Sequence, residues 1–285
     1  MSDTSETKPP PISLTDEEIQ DLFRAKMLLE NPGLAAKLAN TLGVPIERGF
    51  ALLPKQWTVA VNKAARSALW RALDVAVRSI RTKPHDEYSD LTHKVMVGTS
   101  GWIGGAFGFA ALAIELPIST TIMLRSIADI SRSEGHDLKE MSTRLSCLEV
   151  FALGGPTSAD DSAESAYWIV RAAMSKAISE AAAYLTERGI LEKSAPAIVR
   201  LVAIIASRFG VVISEQAAAK AIPIVGAASG SVVNVLFMDH FQNMARGHFI
   251  VKRLEKKYGT ERVRESYASL AMPVKQLPPR SRRVD

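Results

Sequence analysis

Two stretches without a charged side chain constrain this chain more than any other feature: Val95–Ile114, 20 residues, and Ala221–Met238, 18 residues. As helices, each is long enough to cross the hydrocarbon of a bilayer or to form the centre of a helical domain. Glycine recurs in both at the spacing of one helix face. Gly101 and Gly105, and Gly104 and Gly108, lie four apart in the first run; Gly226 and Gly230 lie four apart in the second. A glycine inside a helix costs about 1 kcal/mol against alanine. Repeating it at this spacing predicts a second helix packed backbone to backbone, or a face that accommodates lipid.

The rest of the chain reads as helix. Thr15-Asp-Glu-Glu18 is a capping box that starts a first helix, which ends near Asn31-Pro-Gly33. Leu34 to Gly43 reads as a short helix and Pro54 to about Arg81 as a longer one, with Leu69, Leu73, Val77 and Ile80 three or four apart. A helix from about Leu91 is expected to bend or break at Glu115-Leu-Pro117, because proline removes a donor and clashes with the preceding turn. Helices are then expected over Thr120–Arg132, Leu138–Leu153 and Asp160–Arg188. Ala197–Arg208 and Val211–Ala221 follow, divided at Gly210, and then one continues from Pro223 to Tyr258 and another spans about Glu261–Ala271. No segment shows clean period-two alternation bounded by hairpin dipeptides. The expected fold is all-α: a single compact multi-helix domain over 54–271 around the two glycine-rich helices, an N-terminal helical section over 15–53, a disordered segment over 1–14 and a basic flexible tail over 272–285.

Charge is unevenly spread. The chain of 285 residues carries a formal +5, yet residues 252–285 alone carry +6 and the remainder sums to −1. Arg280, Arg282 and Arg283 in the tail are therefore candidates for contact with an anionic leaflet. No aromatic residue interleaves with the tail's arginines, so a stacking platform for single strands is absent and nucleic acid is not an expected partner. One cysteine, Cys147, excludes an internal disulfide and fits a reducing compartment. The N-terminus lacks the cationic and apolar regions of a secretory signal.

Polar groups flank the apolar runs. Glu115 precedes Pro117; Arg125 and Asp129 are one helical step apart; Asp239, Asn243 and Arg246 share a face, and His240 and His248 share another. Charges beside apolar segments must be paired, because an isolated buried charge costs several kcal/mol. A cluster of Glu115, Arg125, Asp239 and Arg246 is expected, as ion pairs locking two helices or as a site for ligand head groups. Catalytic motifs are missing: Gly98-Thr-Ser100-Gly101 lacks the final glycine of a nucleophile elbow, and there is no His-Glu-x-x-His, P-loop or Gly-x-Gly-x-x-Gly. His85-Asp86 and His136-Asp137 read as exposed turn residues, and Cys147 as a small core residue. No cofactor, metal site or catalytic residue is expected.

Three segments, Cys147-Leu-Glu-Val-Phe-Ala-Leu-Gly-Gly155, Tyr167 to Ala183, and Phe241-Gln-Asn-Met-Ala-Arg-Gly-His-Phe-Ile-Val-Lys-Arg-Leu-Glu-Lys-Lys-Tyr-Gly259, resemble the EcsC protein family of bacteria, as does Glu115-Leu-Pro-Ile-Ser-Thr-Thr-Ile-Met-Leu-Arg125. The resemblance covers roughly residues 50–260. It implies a mostly helical protein in a membrane-side context, since the founding type is encoded beside the ATPase and permease of an ABC transporter linked to secretion. It implies no reaction. The expectation is a non-enzymatic protein, cytoplasmic and peripheral at the inner membrane, whose partner is membrane lipid or an integral membrane protein of the ABC-transporter type. The alternative is a metal-dependent hydrolase, or a peptidase-like enzyme, built on the polar cluster with His240 or His248.

Overall fold

In the computed structural model every regular element among the described residues (13–30, 33–53, 55–78, 109–155 and 163–271) is a helix. In chain order these are α1 (Asp16–Leu29), α2 (Leu34–Leu42), α3 (Ile46–Leu52), α4 (Trp57–Arg78), α5 (Phe109–Ser133), α6 (Met141–Leu153), α7 (Ala163–Arg188), α8 (Pro196–Ala221), α9 (Pro223–Tyr258) and α10 (Thr260–Ser269). The all-α expectation holds. The capping box at α1 forms as expected: the Glu18 amide donates to Thr15 Oγ1 at 3.3 Å, and the Thr15 amide donates to Glu18 Oε2 at 3.0 Å.

Two breaks expected from the sequence do not occur. α5 runs unbroken through Pro117. Pro117 and its neighbour Leu116 are buried against the rest of the bundle, and that packing outweighs the loss of one helical donor. The hydroxyls of Ser119 and Thr121 donate to the carbonyls of Leu116 and Pro117 in the same turn. α8 likewise runs unbroken through Gly210. A Cβ there would stand 2.8 Å from Asn62 Oδ1 on α4, so the glycine serves a close helix crossing and not a break. α3 has no counterpart in the sequence reading.

α9, with 36 residues, is the spine, about 54 Å long at 1.5 Å per residue. Pro223 opens it at a position that needs no amide donor, and Gly259, at φ 83°, ends it with a backbone that a side chain would disfavour. α1 runs antiparallel along its C-terminal half. Glu18 there accepts from Lys257 Nζ at 2.8 Å, Asp21 accepts from Arg253 at 2.7 Å, and Gly247 lets Leu29 and the Ala25 carbonyl come close. The N-terminal helices are thus part of the same packed body, since α2 and α3 also seat on α8, and α2 on α9.

Side-chain pairs fix the directions of the helices around the spine. Asn234 Nδ2 donates to Glu115 Oε1 at 3.0 Å, and eight residues further along α9, Gln242 Nε2 donates to Ser126 Oγ at 2.8 Å. The numbers rise together, so α5 and α9 are parallel and begin at the same end of the bundle. α8 and α9 are an antiparallel hairpin turning at Ile222, tied by Gln216 Nε2 donating to Asn234 Oδ1 at 2.9 Å. α4 packs between α5 and α8, and α6 lies in the middle with Thr143 and every residue from Leu145 to Ala152 buried. Phe151 joins Phe209 and Phe241, with ring centroids 4.9 and 5.3 Å away, in the apolar centre.

α8 alone among the described helices is long and apolar enough to cross a membrane, with a mean hydropathy of 2.0 over its best window, half of which is buried. It is the first limb of the hairpin described above. The sequence reading, by dividing it at Gly210, did not single it out.

Candidate functional site

The three motif segments meet along α9, where buried polar groups separate two depressions. The first is a pocket of about 310 Å³ between the end of α1, the start of α2, the end of α6, the start of α7, and the middles of α8 and α9. Its polar lining consists of Glu30, Tyr167, Arg208, Glu215 and His240, together with the Gly154-Gly155 backbone. The second is a groove of about 640 Å³ along α6 and α7, with Glu149, Arg171, Ser175, Ser179 and Lys252 in its wall. His248, with no exposed surface, joins them. Its Nδ1 lies 3.2 Å from the Tyr167 hydroxyl, and its Nε2 faces Glu149 Oε2 at 3.3 Å, outside hydrogen-bond alignment.

Burial decides the protonation of this seam. Desolvation holds the His248 imidazole neutral, below its ordinary range. Burial pushes the Glu149 carboxyl upward, but the Nε2–H of the neutral His248 that faces it, with the Lys252 and Arg171 cations, outweighs burial and holds the carboxyl below its ordinary range. The Tyr167 hydroxyl is pushed well above its usual range by burial and remains a donor. Beside it Arg171 forms a two-pronged pair with Glu255, both bonds 2.8 Å, with the guanidinium over the rings of Tyr167 and Trp168.

In the first pocket, His240 is 2% exposed. Its Nε2 lies 2.9 Å from the Gly154 carbonyl, which makes that nitrogen the donor and leaves Nδ1 a bare acceptor without a partner. A Cβ on Gly154 would collide with the imidazole, so the glycine is what allows the ring to sit there. Burial holds His240 at about 4. Glu215 is 8% exposed, its Oε2 has no partner, and burial raises its pKa to about 7 against the restraining Ala35 amide.

The raised Glu215 value has a consequence for stability. The folded chain holds a proton there between 4.5, the ordinary value, and about 7, where the unfolded chain has released it. The contribution is therefore fully present below pH 4.5 and is lost as pH rises through 7, by about 3 kcal/mol in all. Glu215→Gln, which keeps the shape without the charge, should match the wild type near pH 4.5 and exceed it by about that amount at pH 8. Urea unfolding of both proteins across this range measures the difference, and a constant gap would contradict it.

The structure does not gather Glu115, Arg125, Asp239 and Arg246 into one cluster. Glu115 pairs instead with Lys220 Nζ at 2.9 Å and with Asn234, at the shared start of α5 and α9. Arg125 lies ten residues further along α5, about 15 Å away by helix rise, and is exposed. Asp129 pairs with Arg132 at 2.9 Å, three residues on. On α9 the shared face does form a ladder: Asn243 Nδ2 donates to Asp239 Oδ2 at 3.0 Å, and Arg246 Nη1 donates to Asn243 Oδ1 at 3.2 Å.

His240 and His248 point to different partners, and among the described residues no three His, Cys, Asp or Glu side chains converge as a metal cradle requires. His136 is half-buried with Nε2 3.0 Å from the Phe249 carbonyl, and Cys147 is a fully buried core residue. Gly101, Gly104, Gly105, Gly108, His85, Arg280, Arg282 and Arg283 lie outside the described residues. Gly226 and Gly230 fall in the first turns of α9, where only the backbone is described.

Sequence reasoning missed Arg208, Glu215, Glu149 and Arg171. The one signal that could have found Glu215 is a carboxylate in the middle of an otherwise uncharged stretch, Phe209 to Ala219.

No curated protein and no solved structure matches this chain. A model of the EcsC protein family matches residues 35–254, which include most of α2 through most of α9, the groove along α6 and α7, and the first pocket apart from Leu29, Glu30 and Gly33. Matching over that span, most of its length, the chain belongs to the EcsC protein family.

Proposed function

We propose that this protein is a non-enzymatic helical protein of the cytoplasmic face of a bacterial membrane, peripheral to it, which binds lipid or an ABC-transporter-type membrane partner. The observation that carries the reading is the common starting end of α5 and α9, fixed by the Glu115–Asn234 and Ser126–Gln242 pairs. Residues 109–114 of the first uncharged run open α5 and most of 221–238 opens α9, so the described parts of both runs lie at one end of the bundle. The apolar helix α8 finishes there too. Ile118 and Val232 at this end are 47% and 40% exposed. The charges near it, Glu115 and Lys220, are paired with each other, which removes the penalty of bringing an isolated charge to a hydrocarbon boundary.

The basic C-terminus supports the same reading, since each Lys or Arg near an anionic leaflet contributes about 1 kcal/mol and the attraction fades with salt. Flotation with anionic vesicles tests it. The full chain should float at low salt, be released at high salt, and lose at least tenfold in binding when 272–285 are removed. A chain that stays in the soluble fraction at low salt contradicts the proposal. Pull-down from detergent extracts then separates the two kinds of partner, because a protein partner persists after lipid is stripped.

A further inference from the structure

The pocket between α2, α6, α8 and α9 holds, above pH 7, two charges of opposite sign that have no counter-charge among the described residues. Glu215, 8% exposed, has an oxygen with no partner among the described residues, and none of their basic side chains acts on its carboxylate. Arg208, on the same face of α8 seven residues earlier, spends its guanidinium on two backbone carbonyls, with Nε donating to Ala152 O at 2.6 Å and Nη2 to Gly155 O at 3.3 Å. Neither carbonyl neutralises it, and no carboxylate among the described residues pairs with it. Two helical turns separate the two residues along α8, about 10 Å of rise. Both line the same pocket of about 310 Å³. The same pocket is lined by His240, 2% exposed, whose Nδ1 is an acceptor without a donor among the described residues.

Buried polar atoms are satisfied in native proteins with few exceptions, and a buried charge without a counter-ion is costly. Here a carboxylate, an imidazole nitrogen and a guanidinium, none with a counterpart among the described residues, belong to three side chains that line one cavity. We propose that this pocket binds a small zwitterion that carries a primary ammonium and an oxyanion. The ammonium supplies N–H donors to Glu215 and to His240 Nδ1, and the oxyanion faces Arg208. The apolar remainder of the lining, Leu29, Leu153 and Met244 among it, suits the short carbon link between the two charges. The inference stands on the pocket alone and does not rest on the membrane reading. The same chemistry is offered by a free aminoalkyl phosphate and by the headgroup of an aminophospholipid.

Titration calorimetry of the full chain with O-phosphoethanolamine and with phosphocholine is the test. The two probes have equal charge, but only the first has N–H donors. The first should bind, the second at least tenfold more weakly, and Glu215→Gln should weaken the first at least tenfold while unfolding at no lower denaturant concentration than the wild type at pH 7.5. In a second arm, flotation compares vesicles containing phosphatidylethanolamine with vesicles of phosphatidylcholine and phosphatidylglycerol. Binding of the soluble probe assigns a free ligand. Binding only to phosphatidylethanolamine vesicles, lost in Glu215→Gln, assigns the lipid headgroup. Equal affinity for phosphocholine, an undiminished Glu215→Gln, or no binding in either arm overturns the proposal. Flotation on phosphatidylglycerol that ignores Glu215→Gln reports on the membrane reading only.

Discussion

Arg171→Ala is expected to lower the unfolding free energy by about 3–5 kcal/mol, the range for removing one partner of a buried ion pair. The Arg171 and Glu255 side chains are 15% and 9% exposed, and the guanidinium meets the carboxylate through two parallel bonds. This geometry makes the pair specific, because a planar fork matches a carboxylate in one orientation. The alanine variant leaves Glu255 in a site that water reaches poorly, and it also removes the cation from the faces of Tyr167 and Trp168. Those rings belong to the smaller apolar cluster that joins α1, α7, α9 and α10. Chemical denaturation should therefore show a large drop for Arg171→Ala. The double variant Arg171→Met, Glu255→Leu should recover most of it, since a buried pair replaced by apolar groups of similar volume is close to neutral. A drop below 1 kcal/mol for the single variant would mean that the pair is effectively at the surface.

Gly49→Ala should be comparably severe, at about 3 kcal/mol or more. A Cβ on Gly49 would overlap the backbone carbonyl of Ala218, and its closest contacts are main-chain atoms of α8 and not the end of a flexible side chain. Neither helix can relieve the overlap by changing a rotamer, so α3 must lift off α8. Overpacking by one methyl commonly costs 1–3 kcal/mol where side chains can adjust, and here they cannot. Gly33→Ala is the control. It has nothing within 4 Å and an ordinary φ, and should stay within about 0.5 kcal/mol of the wild type. Equal stability of the two variants would show that α3 does not cross α8 this closely.

Local signals were legible in the sequence and long-range pairings were not. The capping box, the proline start and glycine end of α9, and the all-helical fold follow from rules that act within a few residues. Pro117 and Gly210 misled because the same local rules predict a break, and the packing that overrides them comes from α4, α8 and α9. α3 is seven residues long, too short for a periodicity to stand out. Glu115 was legible as a charge that needs a partner, but the partner, Lys220, is 105 residues away. The pocket was less legible still. Glu215 and His240 lie on opposite limbs of the hairpin at Ile222, and Arg208 reads as an ordinary surface charge until its carbonyl partners at and just beyond the end of α6 are known.

The central claim is that the end of the bundle where α5 and α9 begin is the one that meets a membrane. Cys147 is fully buried and its thiol is pushed up to about 12 by desolvation, so the wild-type chain has no competing thiolate for labelling. A polarity-sensitive fluorophore on Val232→Cys reports on that end, and one on Glu17→Cys reports on the first turn of α1, far along the spine. With anionic vesicles at low salt, the account predicts a blue shift and quenching by lipid-borne quenchers at position 232, and neither change at position 17. No change at 232, or a change at 17 in its place, would contradict it.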